Sequence, residues 1–169
     1  LSPYQSGFKP GNSCINQLLS ITYGIYKTLD EGKEVKGIHL DISKAFDRVW
    51  HEGLIFKLKQ NGINGNLLLI LIDFLKERNQ SVVLNGLFSS WTHIKAGVPK
   101  GSILGPLLFS IYINDLPNGL QSNPKLFADD TSLFSVVDDI HLSSSELNLD
   151  LTKVSDWANQ FEMIFNPDP

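Results

Sequence analysis

The chain has 169 residues, about one domain on the usual length prior, and its 42% apolar and 10% aromatic content excludes an intrinsically disordered segment. Fourteen basic against 18 acidic side chains leave a net charge of -4; that argues against an autonomous nucleic-acid binder, which carries a basic surface to neutralise phosphates, although a site built of bare carboxylates pulls the balance the same way. One cysteine, Cys14, excludes an internal disulfide and fits a reducing compartment.

The longest apolar stretch, Ile103 to Ile113, is interrupted by Gly105 and Pro106 and runs into Asn114-Asp115, so no membrane span is expected. Nothing resembles a signal peptide. The chain begins at Leu1, its only methionine is Met163, and it stops at Pro167-Asp168-Pro169 without a closing element. It reads as a fragment.

In chain order, residues 1–12 are rich in Gly, Pro and Ser and read as loop. Asn12 or Ser13 can cap a helix whose Ile15, Leu18, Leu19, Thr22, Tyr26 and Leu29 keep helical spacing up to Gly32. Val35 to Ile42 reads as a strand, with Ile38, Leu40 and Ile42 on one face and His39 and Asp41 on the other. A second helix is predicted over roughly 44–61, weakened at Gly53, and a third, very apolar one from Gly65 to Arg78. Ser81-Val-Val-Leu, Asn85-Gly86 and Leu87 to Ala96 predict a hairpin with a type I′ turn. A glycine-rich loop, Gly97 to Pro106, then leads into an apolar helix ending near Asp115. Lys125 to Ala128 and Thr131 to Val137 read as short strands joined by a tight acidic turn at Asp129-Asp130. Ser143 and Glu146 have capping-box spacing at the head of a last helix, striped by Leu147, Leu151, Val154, Ala158 and Phe161. Hairpins among the strands favour an α+β layer with an antiparallel sheet over a doubly wound one.

Three carboxylates carry the chemistry. Asp41 sits at the end of an apolar strand, and Asp129 and Asp130 sit at the tip of a strand-turn-strand. Pairing that hairpin beside the Asp41 strand brings all three to one sheet edge. Like charges so placed repel unless a cation lies between them. Mg²⁺ suits such ligands, because it binds through one or two carboxylates and substrate phosphates. Taken singly the acids are less telling: Asp-Asp is a common turn pair, and Asp41 can cap the element that follows it. Asp47 and Asp115 read as bonding local backbone. Trp50, Trp91 and Trp157 read as core or interface anchors, with base stacking open for Trp91. His39, His51, His93 and His141 make no zinc spacing.

Four segments in order resemble the motif set of reverse transcriptases of non-LTR (LINE-like) retrotransposons, jockey-like branch. They are Gln5-Ser-Gly-Phe-Lys-Pro-Gly-Asn-Ser13; Leu40-Asp-Ile-Ser-Lys-Ala-Phe-Asp47; Gly97-Val-Pro-Lys-Gly-Ser-Ile-Leu-Gly-Pro-Leu-Leu-Phe109 with Tyr112-Ile-Asn-Asp-Leu-Pro117; and Phe127-Ala-Asp-Asp-Thr131. Together they cover essentially the whole chain. The resemblance implies an α+β polymerase palm, an antiparallel sheet with helices packed on one face, plus part of the fingers. Palm would be about 13–48 and 104–169, fingers-related segments about 1–12 and 49–103, with N-terminal fingers and thumb missing.

It also implies residue roles. Asp41, Asp129 and Asp130 would be catalytic and, with the carbonyl of Ile42, would hold two Mg²⁺ ions, with Mn²⁺ as an alternative. Backbone N–H groups of Ser43, Lys44 and Ala45 would hold the triphosphate at a helix start. Phe46 would lie under the incoming sugar; by itself it reads as a core aromatic. Lys100, where the family usually has Gln, and Gly101 would meet the nucleotide. Lys9 and Gly105 would approach the nucleic acid; by themselves they read as a solvated lysine and a flexible loop. An RNA template, a DNA primer and dNTPs are the implied partners, no membrane is, and the nucleus is the implied compartment. Two other readings stay open at this point. One is a non-catalytic remnant of a degenerate element, which Lys100 favours; the other is a palm-fold nucleotide cyclase, whose Gly-Gly-acidic hairpin is missing.

Overall fold

A computed structural model describes residues 1–167, with the side chain of Ile140 left out; Asp168-Pro169 lie outside the described residues. The chain divides into two compact units, Leu1–Ser43 with everything from Ile113 on, and Lys44–Tyr112.

The first unit is built on helix α1 (Cys14–Asp30), strands β1 (Glu34–Leu40), β6 (Asn123–Phe127) and β7 (Asp130–Val137), and helix α5 (Ile140–Gln160). The strands form one antiparallel sheet in the order β1-β7-β6. Alternation sorts their side chains. Leu126, Thr131 and Leu133, all 1% exposed or less, share the face that α5 covers with Leu147, Val154, Ala158 and Phe161, the stripe that helical spacing predicts.

α1 begins at Ser13, which accepts the Asn16 N–H at 3.2 Å, as expected of a cap. It runs beside the opposite face of the sheet, where Lys125 donates to Ser20 Oγ at 3.1 Å. A cavity of about 310 Å³ lies between Ile21, Ile25 and Thr28 of α1 and Val35, Phe134 and Val136. The predicted stripe does not face inward: Ile15, Leu18, Leu19, Tyr26 and Leu29 are 50–68% exposed. Apolar residues wrap more than one side of α1, and the sheet meets the side bearing Ile21 and Ile25.

α5 also starts earlier than the capping-box spacing suggests. Asp139 is its N-cap, accepting the N–H groups of His141 and Leu142 at 2.8 Å each. Ser143 lies one turn inside, donating to the Asp139 carbonyl and accepting from Lys36 Nζ. After α5 the chain turns back, and residues 164–166 pair antiparallel with 41–43, just beyond β1.

The second unit contains α2 (His51–Gln60), α3 (Gly65–Leu75), the short strands β2 (Asn79–Gln80), β3 (Val83–Leu84), β4 (Leu87–Phe88) and β5 (Thr92–His93), and α4 (Leu104–Tyr112). The predicted helix over 44–61 is two elements. Lys44 is left-handed (φ +50°), Ala45–Asp47 make a single 3-10 turn, and Trp50 is extended before α2 begins. Gly53 is required here, since a Cβ would lie 2.6 Å from the Trp50 ring. α3 stops at Leu75 because Lys76 is extended and Glu77 is left-handed. The hairpin forms at the turn as read, with φ +51° at Asn85 and +79° at Gly86, both positive as a type I′ turn demands. Its strands are shorter than the reading of 81–84 and 87–96, and Thr92–His93 pairs instead with Asn79–Gln80. Leu54, Leu58, Leu71, Leu75, Leu108 and Phe109 form the core of this unit. Within it Lys57 is 2% exposed; its ammonium donates to the Tyr112 carbonyl at 2.6 Å, a cation closing the C-terminal end of α4. Among the described residues no helix is long and apolar enough to cross a membrane.

Candidate active site

β1 and β7 pair from Glu34 opposite Val137 to Leu40 opposite Thr131. One step further along the same register sets Asp41 across from Asp130. β6 closes on β7 with Phe127 opposite Asp130, so the turn between them consists of Ala128 and Asp129. The tip therefore lies one residue before the Asp129-Asp130 pair, and Asp130 opens β7. Ala128 sits at φ +56°, a conformation that a tight hairpin demands at its first central position and that glycine adopts most readily.

Asp41 and Asp130 line one open cavity of about 590 Å³ with His39, Ser132 and Asn166. Partial burial, and then the carboxylates of Asp129 and Asp41, hold the Asp130 carboxyl above the ordinary aspartate range, with His39 opposing. His39 is itself oriented, its Nδ1 2.8 Å from Ser132 Oγ and its ring edge-on to Phe134. Asn166 engages Asp41 twice: its N–H donates to the Asp41 carbonyl at 2.9 Å, and its amide Nδ2 to Oδ2 at 2.5 Å.

Among the described residues no three His, Cys, Asp or Glu side chains are grouped so as to hold a metal ion unaided. Two carboxylates at an open cleft, one of them strained by its acidic neighbours, match instead the donor set Mg²⁺ prefers, completed by water and phosphate oxygens. Those residues fit such an ion.

Of the other residues singled out, Ile42 is 2% exposed and bridged to Phe165. The N–H of Ser43 is already engaged by the Ile164 carbonyl at 2.8 Å. Lys44 is exposed and Ala45 is buried, and the element they open is a 3-10 turn rather than an α-helix. Lys9 donates to the Ser2 carbonyl at 3.4 Å.

In the second unit, Phe46, Pro99, Lys100, Gly101 and Pro106 line a cavity of about 310 Å³. Phe46 stacks on Phe109 with centroids 4.6 Å apart. The loop from Gly97 is stitched to the segment before α2: Gly97 N–H donates to the Val49 carbonyl and Val98 N–H to the Phe46 carbonyl, and His51 Nε2 lies 2.8 Å from the Gly97 carbonyl. This stitching sets Lys100 beside Asp47, Nζ to Oδ2 2.6 Å. Asp47 thus binds a side chain, and Asp115 accepts from Trp157 Nε1 at 2.9 Å. Gly105 lacks room for a Cβ, which would lie 2.6 Å from the Pro99 carbonyl, so its smallness serves closure of the loop on α4. Trp157 is buried, Trp50 half-buried, and Trp91 70% exposed on the hairpin.

Sequence reasoning assigned no role to Gln5, Asn166, Asp150 or Lys57. Only Gln5 lay inside a quoted motif. The others are recognisable only once distant segments meet.

Comparison with known proteins identifies the family and the fold. The profile of the family described as "Reverse transcriptase (RNA-dependent DNA polymerase)" matches residues 1–168. The chain is 31% identical over 175 residues to the probable RNA-directed DNA polymerase from transposon BS of Drosophila melanogaster, and 33% identical over 171 residues to the RNA-directed DNA polymerase from mobile element jockey of Drosophila funebris. Those alignments take in 99% and 96% of this chain and 19% of each relative. Among solved structures, telomerase from Candida albicans in complex with a fragment of telomeric RNA superposes with a TM-score of 0.68 at 15% identity, over 98% of this chain and 31% of that one. Apo telomerase from Candida tropicalis gives 0.60 at 12% identity, over 98% and 37%. The fold is the α+β palm and fingers fold of polymerases. The chain belongs to the reverse transcriptase family, and its relatives include polymerases of the jockey and BS mobile elements.

Proposed function

We propose that this chain carries the catalytic centre of an RNA-directed DNA polymerase, in which a primer-terminal hydroxyl attacks the α-phosphate of a dNTP opposite an RNA template and pyrophosphate leaves. The observation that carries the reading is the placement of Asp41 and Asp130 on one cleft, with Asp129 in the adjoining turn. Asp41 and Asp130 would hold divalent cations there, with Asp129 and the carbonyl of Ile42 completing the oxygen set. When bound, two Mg²⁺ ions activate an attacking oxygen and steady a leaving one in phosphoryl transfer. The chain's own contribution is positioning and charge complementarity. Phe46 presents its ring to the sugar, and Gly101 gives the loop a close approach at φ +79°. The N–H groups of Lys44 and Ala45 serve the phosphates, while Lys9 and Gly105 lie toward the nucleic acid.

Residues 13–48 and 104–169 would be palm and 1–12 and 49–103 fingers-related; the break between units near Lys44 and Tyr112 supports the boundaries at 48 and 104, while residues 1–12 fall in the same unit as the proposed palm. RNA template, DNA primer and dNTPs are the proposed partners, and the nucleus the proposed compartment, on family grounds. The reading as a degenerate remnant draws support from one observation: Lys100, where an amide is usual, is held by Asp47. A Lys100→Gln substitution that creates activity from none would favour the remnant.

The test uses a polypeptide extended to the length of its relatives. It should extend a DNA primer on an RNA template with Mg²⁺, and Asp129→Asn should lower the rate at least about 100-fold while circular dichroism stays unchanged. Undiminished extension by the variant refutes the assignment.

A further inference from the structure

The segment before α1 does more than enter the fold. Tyr4 and Ser6 pair with β6: the Leu126 N–H donates to the Tyr4 carbonyl at 3.0 Å and the Ser6 N–H to the Leu126 carbonyl at 2.9 Å. That pairing delivers Gln5, 1% exposed, to the turn between β6 and β7. Its Oε1 accepts the Ala128 N–H at 3.1 Å and the Gly7 N–H at 2.7 Å, and its Nε2 donates to the Ala128 carbonyl at 3.4 Å. Gly7 follows so closely that a Cβ there would lie 2.3 Å from the Ala128 nitrogen.

Ala128 is the strained member of the turn. An L-residue at φ +56° persists only where its surroundings over-determine it, and no glycine eases the position. A primary amide that both accepts from and donates to one residue's backbone fixes the orientation of that residue. A hydrocarbon offers neither function, and a hydroxyl has both on a single oxygen, whereas the amide sets acceptor and donor on two separate atoms. The residue so fixed is followed directly by Asp129 and then by Asp130, at the cleft that Asp41 shares.

We propose that Gln5 is a positioning residue, one that locks the Ala128–Asp129 turn in its left-handed form so that the carboxylates of Asp129 and Asp130 meet a divalent cation together with Asp41. The inference rests on the metal-site reading given above. It concerns what orients the ligands, and it assigns to the N-terminal segment a function at the site.

The experiment uses the 169-residue chain, Mn²⁺ alone as a paramagnetic probe, and two readouts: hydrogen exchange at the Ala128 N–H, and broadening of the Asp41 and Asp130 amide signals as Mn²⁺ is added. The wild-type chain should protect Ala128 and show site-selective broadening. Gln5→Leu should lose the protection and weaken Mn²⁺ binding about 10–100-fold, the usual effect of removing a group that orients metal ligands. Should Gln5→Leu not fold, Gln5→Asn carries the same expectation, its amide one methylene short of the turn. Adding Ala128→Gly to either variant should restore much of the binding, because glycine adopts the turn's φ unaided; a simple packing defect at Gln5 would not respond. Unchanged Mn²⁺ affinity in the Gln5 variants, or full Ala128 protection without Gln5, overturns the inference while leaving the metal site standing. Absence of Mn²⁺ broadening in the wild-type chain, with Ala128 still protected, overturns the metal reading and this inference with it.

Discussion

Asp130 is held in a form that favours its proton. Partial burial and the charges of Asp129 and Asp41 raise its folded pKa above the unfolded value. Its ionisation therefore opposes folding: the cost is present at neutral pH and is relieved as pH falls through the folded pKa. Asp130→Asn, in metal-free buffer at pH 7, should thus raise Tm by about 1–2 °C, the range of a half-kcal surface effect in a chain of this size. The gain should shrink in mildly acidic buffer, and thermal scans at two pH values check it. A loss of stability on removing this charge would contradict the electrostatic account. Sites kept for chemistry at a cost in stability behave in this way.

At the scale of elements, α5 carries a buried acid shifted in the opposite direction. Asp150 is 0% exposed; it accepts the Ser122 N–H at 2.8 Å and the Gln121 N–H at 3.0 Å, and it meets Lys153 at 3.6 Å. Burial alone would push its carboxyl up, but the two N–H groups and Lys153 hold it below the ordinary value. That stabilisation is present above the unfolded pKa and is lost as pH falls through the folded one. Asp150→Asn should lower Tm by about 3–10 °C at pH 7, following the usual 1.5–3 kcal/mol for bonds to a charged group. The gap between variant and wild type should begin to narrow only below the ordinary aspartate value, about pH 4, and should close as pH falls through the lowered folded pKa.

Elements differ in how far sequence pattern exposes them. The α5 stripe and the Asn85-Gly86 turn were legible because periodicity and a two-residue turn code are local properties. The break between Lys44 and His51 was not, since it depends on the Gly97–Val98 backbone pairing with residues 46–49. Nor could spacing choose which side of α1 faces the sheet. For the site, the three acids could be read from their placement at strand ends. Gln5, Asn166 and the one-residue shift of the turn to Ala128–Asp129 could not, because each depends on a pairing between segments far apart in sequence.

On the scale of the whole molecule, the chain spans 19% of the length of the curated relatives it matches, and it leaves much apolar surface outward. In the first unit Ile15, Leu18, Leu19, Tyr23 and Tyr26 stand out from α1; in the second, Leu84, Leu87, Phe88 and Trp91 stand out from the hairpin, each more than 60% exposed. A molecule with so many uncovered side chains resembles one face of a larger body more than a finished surface.

Within the first unit the two acids of the cleft have separate moorings. Asp130 is steadied from the amino-terminal side, through Gln5 and the Ala128 turn, whereas Asp41 is tied by Asn166, on the segment that follows α5. Loosening one rope leaves the other taut, so damage at either side should fail the pair unevenly. Asn166→Ala removes the side-chain bond to the Asp41 carboxylate, so the backbone N–H at position 166, which donates to the Asp41 carbonyl, should exchange faster while Ala128 keeps its protection; hydrogen exchange at those two amides tells the moorings apart.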